Sequence, residues 1–143
     1  MEVRRAASLA DRAGAYYVRI QAMAVKHHIP LEDEFDAHDG GDTHYVIVLD
    51  DVLPVATARM YGVSGETAVI GRIVVLQEYR GRGLGSLVVR SCEEWARELG
   101  FRKACVESRE NKIGFYEKLG YRSTGGEAIP GKTFRCVRME KTL

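Results

Sequence analysis

The chain has 143 residues, which suits one domain with one hydrophobic core. Apolar residues make up 45% of the chain, charged residues make up 29%, and the formal net charge is +1, which is the composition of an ordinary globular protein. Such a balance gives the whole molecule no reason to bind nucleic acid or a membrane, and no apolar run approaches membrane-spanning length. Because the N-terminal stretch is polar and unlike a secretory signal, we expect a cytoplasmic protein.

The first half of the chain is predicted to be rich in strands. A short strand over Val3 to Ala7 precedes a helix that Ser8 caps and that ends near His28, ahead of Pro30. An acidic loop runs from Leu31 to Asp42. Three β-branched, apolar stretches then read as strands: Tyr45 to Leu49, Val55 to Tyr61 and Glu66 to Leu76.

The second half alternates between helices and strands. Its clearest helix begins at Leu84, since apolar side chains recur at three- and four-residue steps as far as Leu99, and Gly100 supplies a stop. The elements predicted after it are a strand over Lys103 to Glu107, a helix over Lys112 to Leu119, and strands over Tyr121 to Thr124 and Phe134 to Met139. This order predicts an α/β fold with a mixed sheet and helices on both faces.

A basic, glycine-rich loop separates the strand that ends at Leu76 from the long helix. It reads Arg80-Gly81-Arg82-Gly83-Leu84-Gly85. Glycines let a backbone approach a ligand closely, and the first turn of a helix offers unpaired N–H groups to an anion. The two guanidinium groups add charge in a geometry that matches phosphate. The loop therefore predicts a pyrophosphate site.

Three other kinds of loop are possible in principle. A plain basic turn is disfavoured because these residues open a strongly amphipathic helix, and a nucleotide P-loop is disfavoured because no Gly-Lys-Ser/Thr follows. Glu107 ends the next strand, where the ribose-binding acid of a dinucleotide site belongs. However, Ser86 replaces the third glycine of that fingerprint, and too few strand–helix units follow for a doubly wound fold.

Two motifs in this order resemble those of the GCN5-related N-acetyltransferases (GNAT). The cofactor motif of that family, Gln/Arg-x-x-Gly-x-Gly/Ala, corresponds to Arg80 to Gly85, and its second signature corresponds to the Phe-Tyr-Glu-Lys-Leu-Gly-Tyr of Phe115 to Tyr121. The likeness covers Arg59 to about Thr124. Residues Pro54 to Arg59 look like the small bacterial, ElaA- or YjcF-like branch of the family.

The resemblance implies one N-acetyltransferase domain over residues 1–143, with a mostly antiparallel central sheet and a splayed strand pair that holds acetyl-CoA. Pantetheine would bond to the backbone between the strands, and the phosphates would sit on the glycine loop. The cofactor-binding residues implied in this way are Ile73, Val74, Val75, Arg80, Gly81, Arg82, Gly83, Leu84, Gly85, Ser86, Asn111 and Tyr116. Many members place an asparagine seven residues before the tyrosine, whereas this chain has Arg109 there.

The expected reaction moves an acetyl group from acetyl-CoA to a primary amine of a small molecule or peptide. The resemblance puts the oxyanion near the Val75 N–H and puts Tyr116 near the sulfur, as the acid for the departing thiolate. A tyrosine that only positions the cofactor is the alternative. Glu107 is the candidate base, and Glu34 and Arg59 are candidate substrate contacts. If the acidic loop faces the acceptor, a cationic amine is favoured.

The alternatives to direct acetyl transfer are a covalent acetyl-enzyme, a metal site and a function limited to binding. Cys92 falls on the apolar face of its helix, which favours a core thiol and direct transfer, and the chain's three cysteines contain no CxxC pair for a disulfide framework or zinc. The histidines and carboxylates between His27 and His44 lack tight ligand spacing, so no metal is expected. A non-catalytic acyl-CoA-sensing module is the rival function, and a homodimer is possible.

Overall fold

A computed structural model describes residues 1–126, 129–130 and 134–143 of the chain. The helices and strands are, in chain order, β1 (Glu2–Arg5), α1 (Leu9–Arg19), α2 (Leu31–Glu34), β2 (His44–Asp50), β3 (Leu53–Gly62), β4 (Thr67–Val75), α3 (Leu84–Glu98), β5 (Lys103–Arg109), α4 (Ile113–Lys118), β6 (Arg122–Ser123), β7 (Ile129–Pro130) and β8 (Arg135–Thr142). A π-helical segment, Ile20–Val25, continues α1. Among the described residues, no helix has both the length and the apolar character needed to cross a membrane.

The strands form one mixed sheet with helices on both faces, as predicted. The strand order is β1-β2-β3-β4-β5-β8-β6, and β7 pairs with β8. Alternate side chains of β2 show how the sheet is covered: Tyr45 and Ile47 cluster with Ala15 of α1, while the His44 ring meets Trp95 of α3 at 4.7 Å. Helices α1 and α3 therefore lie on opposite faces of the sheet.

Two stretches differ from the predicted pattern. The segment predicted as an acidic loop contains α2 and a short 3-10 turn, Ala37–Asp39, which the Asp36 side chain caps through the His38 N–H at 2.9 Å. Helix α3 ends at Glu98, and Leu99, predicted to lie on its apolar face, is 47% exposed. Leu99 is the C-cap of α3, where the chain leaves the helix and the periodicity of its apolar face no longer applies.

The centre of the sheet is opened by a bulge in β4. Between the pairs Thr57–Val74 and Arg59–Gly71, two residues of β4 face one residue of β3. One of the two is Arg72, whose φ of 49° lies in the left-handed region. A bulge bends its strand, and β4 pairs with β5 only over Thr67–Val69, before the bulge. The two strands then splay apart.

The acidic segment folds inward onto a buried ionic network. Arg19 is fully buried, and its guanidinium binds Glu34 Oε2 at 3.0 Å and Asp39 Oδ1 at 2.6 Å. Asp39 also accepts hydrogen bonds from Arg59 at 3.1 Å and from the Tyr45 hydroxyl at 2.6 Å. The network joins the acidic segment to α1, β2 and β3, and it pairs the carboxylates of Glu34, Asp36 and Asp39 within the protein.

We expect Asp39→Asn to destabilise the fold by about 3 kcal/mol at pH 7, because it leaves buried guanidinium groups short of a countercharge. Burial alone would raise the pKa of Asp39, but hydrogen bonds from Arg19 and Tyr45 outweigh it and hold the pKa well below its ordinary value. The stabilisation is therefore present above about pH 4 and is lost as the pH falls further. Urea unfolding of both proteins at several pH values measures the difference.

The control for this experiment is Asp42→Asn, which changes an exposed carboxylate in the same segment. It should alter the free energy of unfolding by less than about 0.5 kcal/mol. Equal effects of the two substitutions would show that the network contributes no special stability.

The positive φ at residue 72 predicts a reversed preference for glycine. In an ordinary strand, glycine is less stable than alanine by about 0.5–1 kcal/mol. Arg72→Gly should instead be more stable than Arg72→Ala by about 1 kcal/mol, because only the alanine retains the strain of a Cβ in this conformation. The matched pair Lys103→Gly and Lys103→Ala, in β5, should show the ordinary order by thermal or urea unfolding. If alanine is preferred at both positions, the bulge is not strained.

Candidate active site

A cavity of about 750 Å³ opens where β4 and β5 separate. This volume lies within the range of sites for small ligands and cofactors, roughly 300–1,000 Å³. Residues on both faces of the sheet line it, since Tyr116 belongs to α4 on the α3 side and Met23 belongs to the continuation of α1. The cavity therefore passes through the sheet, and its two halves have different chemistry.

The half on the α3 side contains the glycine loop. Gly81 and Gly83 have φ values of 78° and 79°, so both need the freedom of glycine, and Gly83 is the N-cap of α3. Arg80 lines the cavity, and its Nε donates to the Val75 carbonyl at 3.3 Å. The loop thus presents backbone, a helix N-terminus and one guanidinium to this half, a suitable surface for an anion.

Two residues expected in the cofactor site do not line the cavity. The Arg82 guanidinium lies over the Tyr79 ring at 4.8 Å and hydrogen-bonds to the Glu78 carbonyl at 3.4 Å, while Ser86 lies in the first turn of α3. The remaining residues of the expected set do line it: Ile73, Val74, Val75, Arg80, Gly81, Gly83, Leu84, Gly85, Asn111 and Tyr116.

Some backbone groups of β4 face the opening instead of a neighbouring strand. The Leu76 N–H donates to the Val55 carbonyl of β3 at 2.9 Å, and polar groups of successive residues in a strand point to opposite sides. The N–H and carbonyl of Val75 and the carbonyl of Ile73 are thereby turned away from β3, toward the gap. The bond from Arg80 to the Val75 carbonyl agrees with this direction. The gap therefore offers hydrogen-bonding groups to an extended ligand.

Tyr116 stands beside these groups. Its side chain is 8% exposed, and its ring meets the Phe115 and Tyr121 rings edge-on at 4.9 and 5.9 Å. Burial raises the pKa of Tyr116 to about 12. The phenol therefore keeps its proton at neutral pH and can act as a hydrogen-bond or proton donor.

The half on the α1 side is lined by charged and apolar side chains. Glu107 and Arg109 project from β5, and they are joined by Met23, Lys26, His27, Phe134 and Cys136. Sequence analysis identified Glu107 as a site residue, but it did not place Met23, Lys26, His27, Phe134 or Cys136 in the site. The pairing of Cys136 with Arg109 across β8 and β5 brings the final strand to the cavity. The sequence signal that could have shown this is the alternation of side chains between the two faces of β8.

The candidate substrate contacts Glu34 and Arg59 lie outside the cavity. Both are 4% exposed, and their charged groups take part in the buried network with Arg19, Asp36 and Asp39. The acidic segment therefore does not face the cavity, and the condition for favouring a cationic acceptor is not met. In the described part of the chain, histidine, cysteine and carboxylate side chains do not gather in groups of three that could hold a metal ion.

The chain is similar to known acetyltransferases over most of its length. The model of the acetyltransferase (GNAT) family matches residues 9–121. A Bacillus subtilis protein named as an acetyltransferase is 33% identical over 129 residues, which cover 89% of this chain and 87% of that protein.

Solved structures agree with this match. The crystal structure of a Lactobacillus plantarum protein described as an N-acetyltransferase superimposes with a TM-score of 0.92 at 31% identity, over 99% of this chain and 97% of that one. Escherichia coli ElaA shares the fold, with a TM-score of 0.84 at 20% identity over 99% of both chains. The splayed strands, the glycine loop and these matches lead to one conclusion: the chain belongs to the GNAT family of acetyltransferases.

Proposed function

We propose that the protein transfers an acetyl group from acetyl-CoA directly to a primary amine. The observation that carries this proposal is the cavity through the sheet, which has an anion-binding loop and Tyr116 on one side and Glu107 on the other. Such a passage lets a cofactor and an acceptor enter from opposite faces and meet between the strands. Membership of an acetyltransferase family supports the same reading.

Acetyl-CoA fits the α3-side half of the cavity. Its pyrophosphate would bind the N–H groups of the loop at the start of α3, where Gly81 and Gly83 leave room for it. Its pantetheine amides would pair with the backbone groups of Ile73 and Val75. Asn111, Lys112 and Phe115 complete this half. The nicotinamide alternative lacks both a third glycine and a doubly wound sheet.

The reaction uses groups on both sides of the gap. The neutral amine attacks the thioester carbonyl, and the Val75 N–H stabilises the oxyanion that forms. Collapse of the intermediate breaks the carbon–sulfur bond, and Tyr116 donates a proton to the departing thiolate and regains one from solvent. Glu107 accepts the proton that the amine loses. Glu107 is the only carboxylate among the described residues that line the cavity.

Direct transfer is favoured by the state of the thiols. Cys92 is fully buried, and burial raises the pKa of its thiol far above the ordinary value. Cys136 lines the cavity, but burial and the nearby Glu107 raise its pKa as well. Because the thiolate is the nucleophile, neither cysteine is poised to carry the acetyl group.

The proposed function is tested by calorimetric titration with acetyl-CoA, followed by measurement of CoA release and acetylated product with a panel of primary amines. Binding together with amine-dependent product supports the enzyme. Binding without product from any amine would favour an acyl-CoA-sensing module. Failure to bind acetyl-CoA would refute both.

Gly83→Val should nearly abolish acetyl-CoA binding. Apart from its chain neighbours, no described residue lies within 4 Å of a Cβ built at Gly83, so the new side chain would occupy the space proposed for the phosphates. Its positive φ adds strain of about 1–3 kcal/mol, which circular dichroism should show to be tolerated by the fold. Calorimetry measures the loss of binding.

Two comparisons make the result specific. Gly65→Val changes an exposed turn without positive φ and should bind acetyl-CoA like the parent. Arg82→Ala removes a charge outside the cavity lining and should cost about 1 kcal/mol or less, decreasing as salt rises. Full binding by folded Gly83→Val would show that the loop does not hold the phosphates.

Tyr116→Phe should lower kcat more than it raises the KM for acetyl-CoA. The change keeps the ring packing and removes only the donor, and a general acid typically contributes about 100-fold or more. Steady-state rates at saturating acetyl-CoA and amine measure the effect. Tyr17→Phe, at a tyrosine 40% exposed outside the cavity lining, is the matched control. An unchanged kcat would assign Tyr116 a packing role and leave protonation to water.

A further inference from the structure

The Arg109 side chain lines the cavity, where its nearest contacts are apolar side chains. Its guanidinium lies over the Phe134 ring at 4.2 Å, and its Nη2 is 3.8 Å from the Met23 sulfur. None of the described carboxylates forms an ion pair with it. By contrast, Arg19 and Arg59 each bind carboxylates of the buried network. Arg109 is thus held in position by an aromatic ring and a thioether, which leave its charge available to a ligand.

Arg109 belongs to the α1-side half of the cavity, which we call the acceptor half, rather than to the α3-side half that contains the glycine loop. Met23 lies in the continuation of α1, on the face of the sheet opposite α3. The glycine loop instead leads directly into α3. A cofactor phosphate on that loop would therefore bind to the loop and Arg80. The Arg109 guanidinium is then left to bind a different anion.

The surroundings of Arg109 carry further positive charge. Lys26 and His27 line the same half, and the His27 ring meets the Phe134 ring edge-on at 5.3 Å. Burial lowers the pKa of His27, and the charges of Arg109, Lys26 and Arg80 lower it further. Arg72 also lines the cavity, but it is paired with Asp36 at 3.4 Å. The unpaired cations of this half are Arg109 and Lys26, among the described residues.

Glu107 supplies a negative group next to Arg109. The two residues are separated by one position on β5, so their side chains leave the same face of the strand. Their Cα atoms are about 7 Å apart. Glu107 is half exposed, and its carboxylate pairs with Arg138, its cross-strand neighbour on β8, at 3.4 Å. One acid and one unpaired arginine therefore stand side by side along the acceptor half.

We propose that the acceptor is a small primary amine that also carries a carboxylate, and that Arg109 binds this carboxylate while Glu107 faces the amine. This inference rests on the proposed acetyl transfer and names the class of its acceptor. A planar guanidinium bonds to a carboxylate through two parallel N–H···O contacts, and Phe134 and Met23 offer apolar surface to the carbon skeleton between the charges.

The test compares amines that differ only in the carboxylate. Phenylalanine is paired with phenethylamine, and 4-aminobutyrate with propylamine, each at saturating acetyl-CoA. The parent should show a kcat/KM about 10- to 100-fold higher for the carboxylate-bearing member of at least one pair, mainly through KM. Arg109→Gln should reduce that ratio to near one. Arg109→Lys should restore part of it, since it keeps the charge but not the planar fork.

Arg90→Gln is the matched control, because it removes an exposed arginine of α3 that does not line the cavity. It should keep the preference for the carboxylate. The inference is overturned if the parent prefers the amines without a carboxylate, if it acetylates none of the carboxylate-bearing amines, or if Arg109→Gln leaves the ratio unchanged.

Calorimetry with acetyl-CoA separates these outcomes from failure of the proposed function. Acetyl-CoA binding and acetylation of simple amines, without the preference, would refute only the acceptor class. Absence of both binding and product would refute the transferase proposal itself. Arg109→Gln should bind acetyl-CoA within about twofold of the parent. A much larger loss would place Arg109 on the cofactor instead.

Discussion

The backbone constraint at Arg72 determines where this protein has a site. An uninterrupted β4 would pair with β5 along its whole length and close the centre of the sheet. The bulge limits that pairing to Thr67–Val69 and leaves polar groups of Ile73 and Val75 turned to the gap. Buried backbone groups without partners are unfavourable. The bulge therefore creates the space in which we propose that the cofactor binds, and the amides of that cofactor would pair with these groups.

The buried network sets the charge of the other half of the site. Glu34 and Asp39 form ion pairs with Arg19, and Asp36 forms ion pairs with Arg59 and Arg72. In these contacts the carboxylates of the acidic segment neutralise the charges of arginine side chains, so they are not available to an acceptor. The charge that faces the α1-side half then comes from residues outside the network. The charge of the proposed acceptor site therefore depends on how the acidic segment folds against Arg19, Arg59 and Arg72.

Local signals and long-range contacts were predictable to different degrees. The glycine loop and α3 follow from short stretches of sequence whose meaning depends little on the rest of the chain. The contact between Arg109 and Met23 joins residues 86 positions apart, and no periodicity within either element indicates it. The inward fold of Glu34 is similar, because a carboxylate in an acidic segment reads as solvated until Arg19 is known to be buried beneath it. Sequence analysis therefore described the cofactor half better than the acceptor half.

The end of β5 shows how the two halves are kept apart. Arg109 is the last residue of that strand and contacts Met23 on the α1 side, whereas the turn Glu110–Lys112 carries the chain onward to α4. Asn111, two residues after Arg109, lies in that turn and lines the cavity, as Tyr116 does. Under the proposed function, a chain with arginine at position 109 keeps an amide for the cofactor and uses the strand end for the acceptor. The α3-side half, where we propose that acetyl-CoA binds, is built largely from backbone groups, which are present whatever the side chains are. The acceptor half is built from side chains. Substitutions at the strand end would then change the acceptor without disturbing the cofactor site.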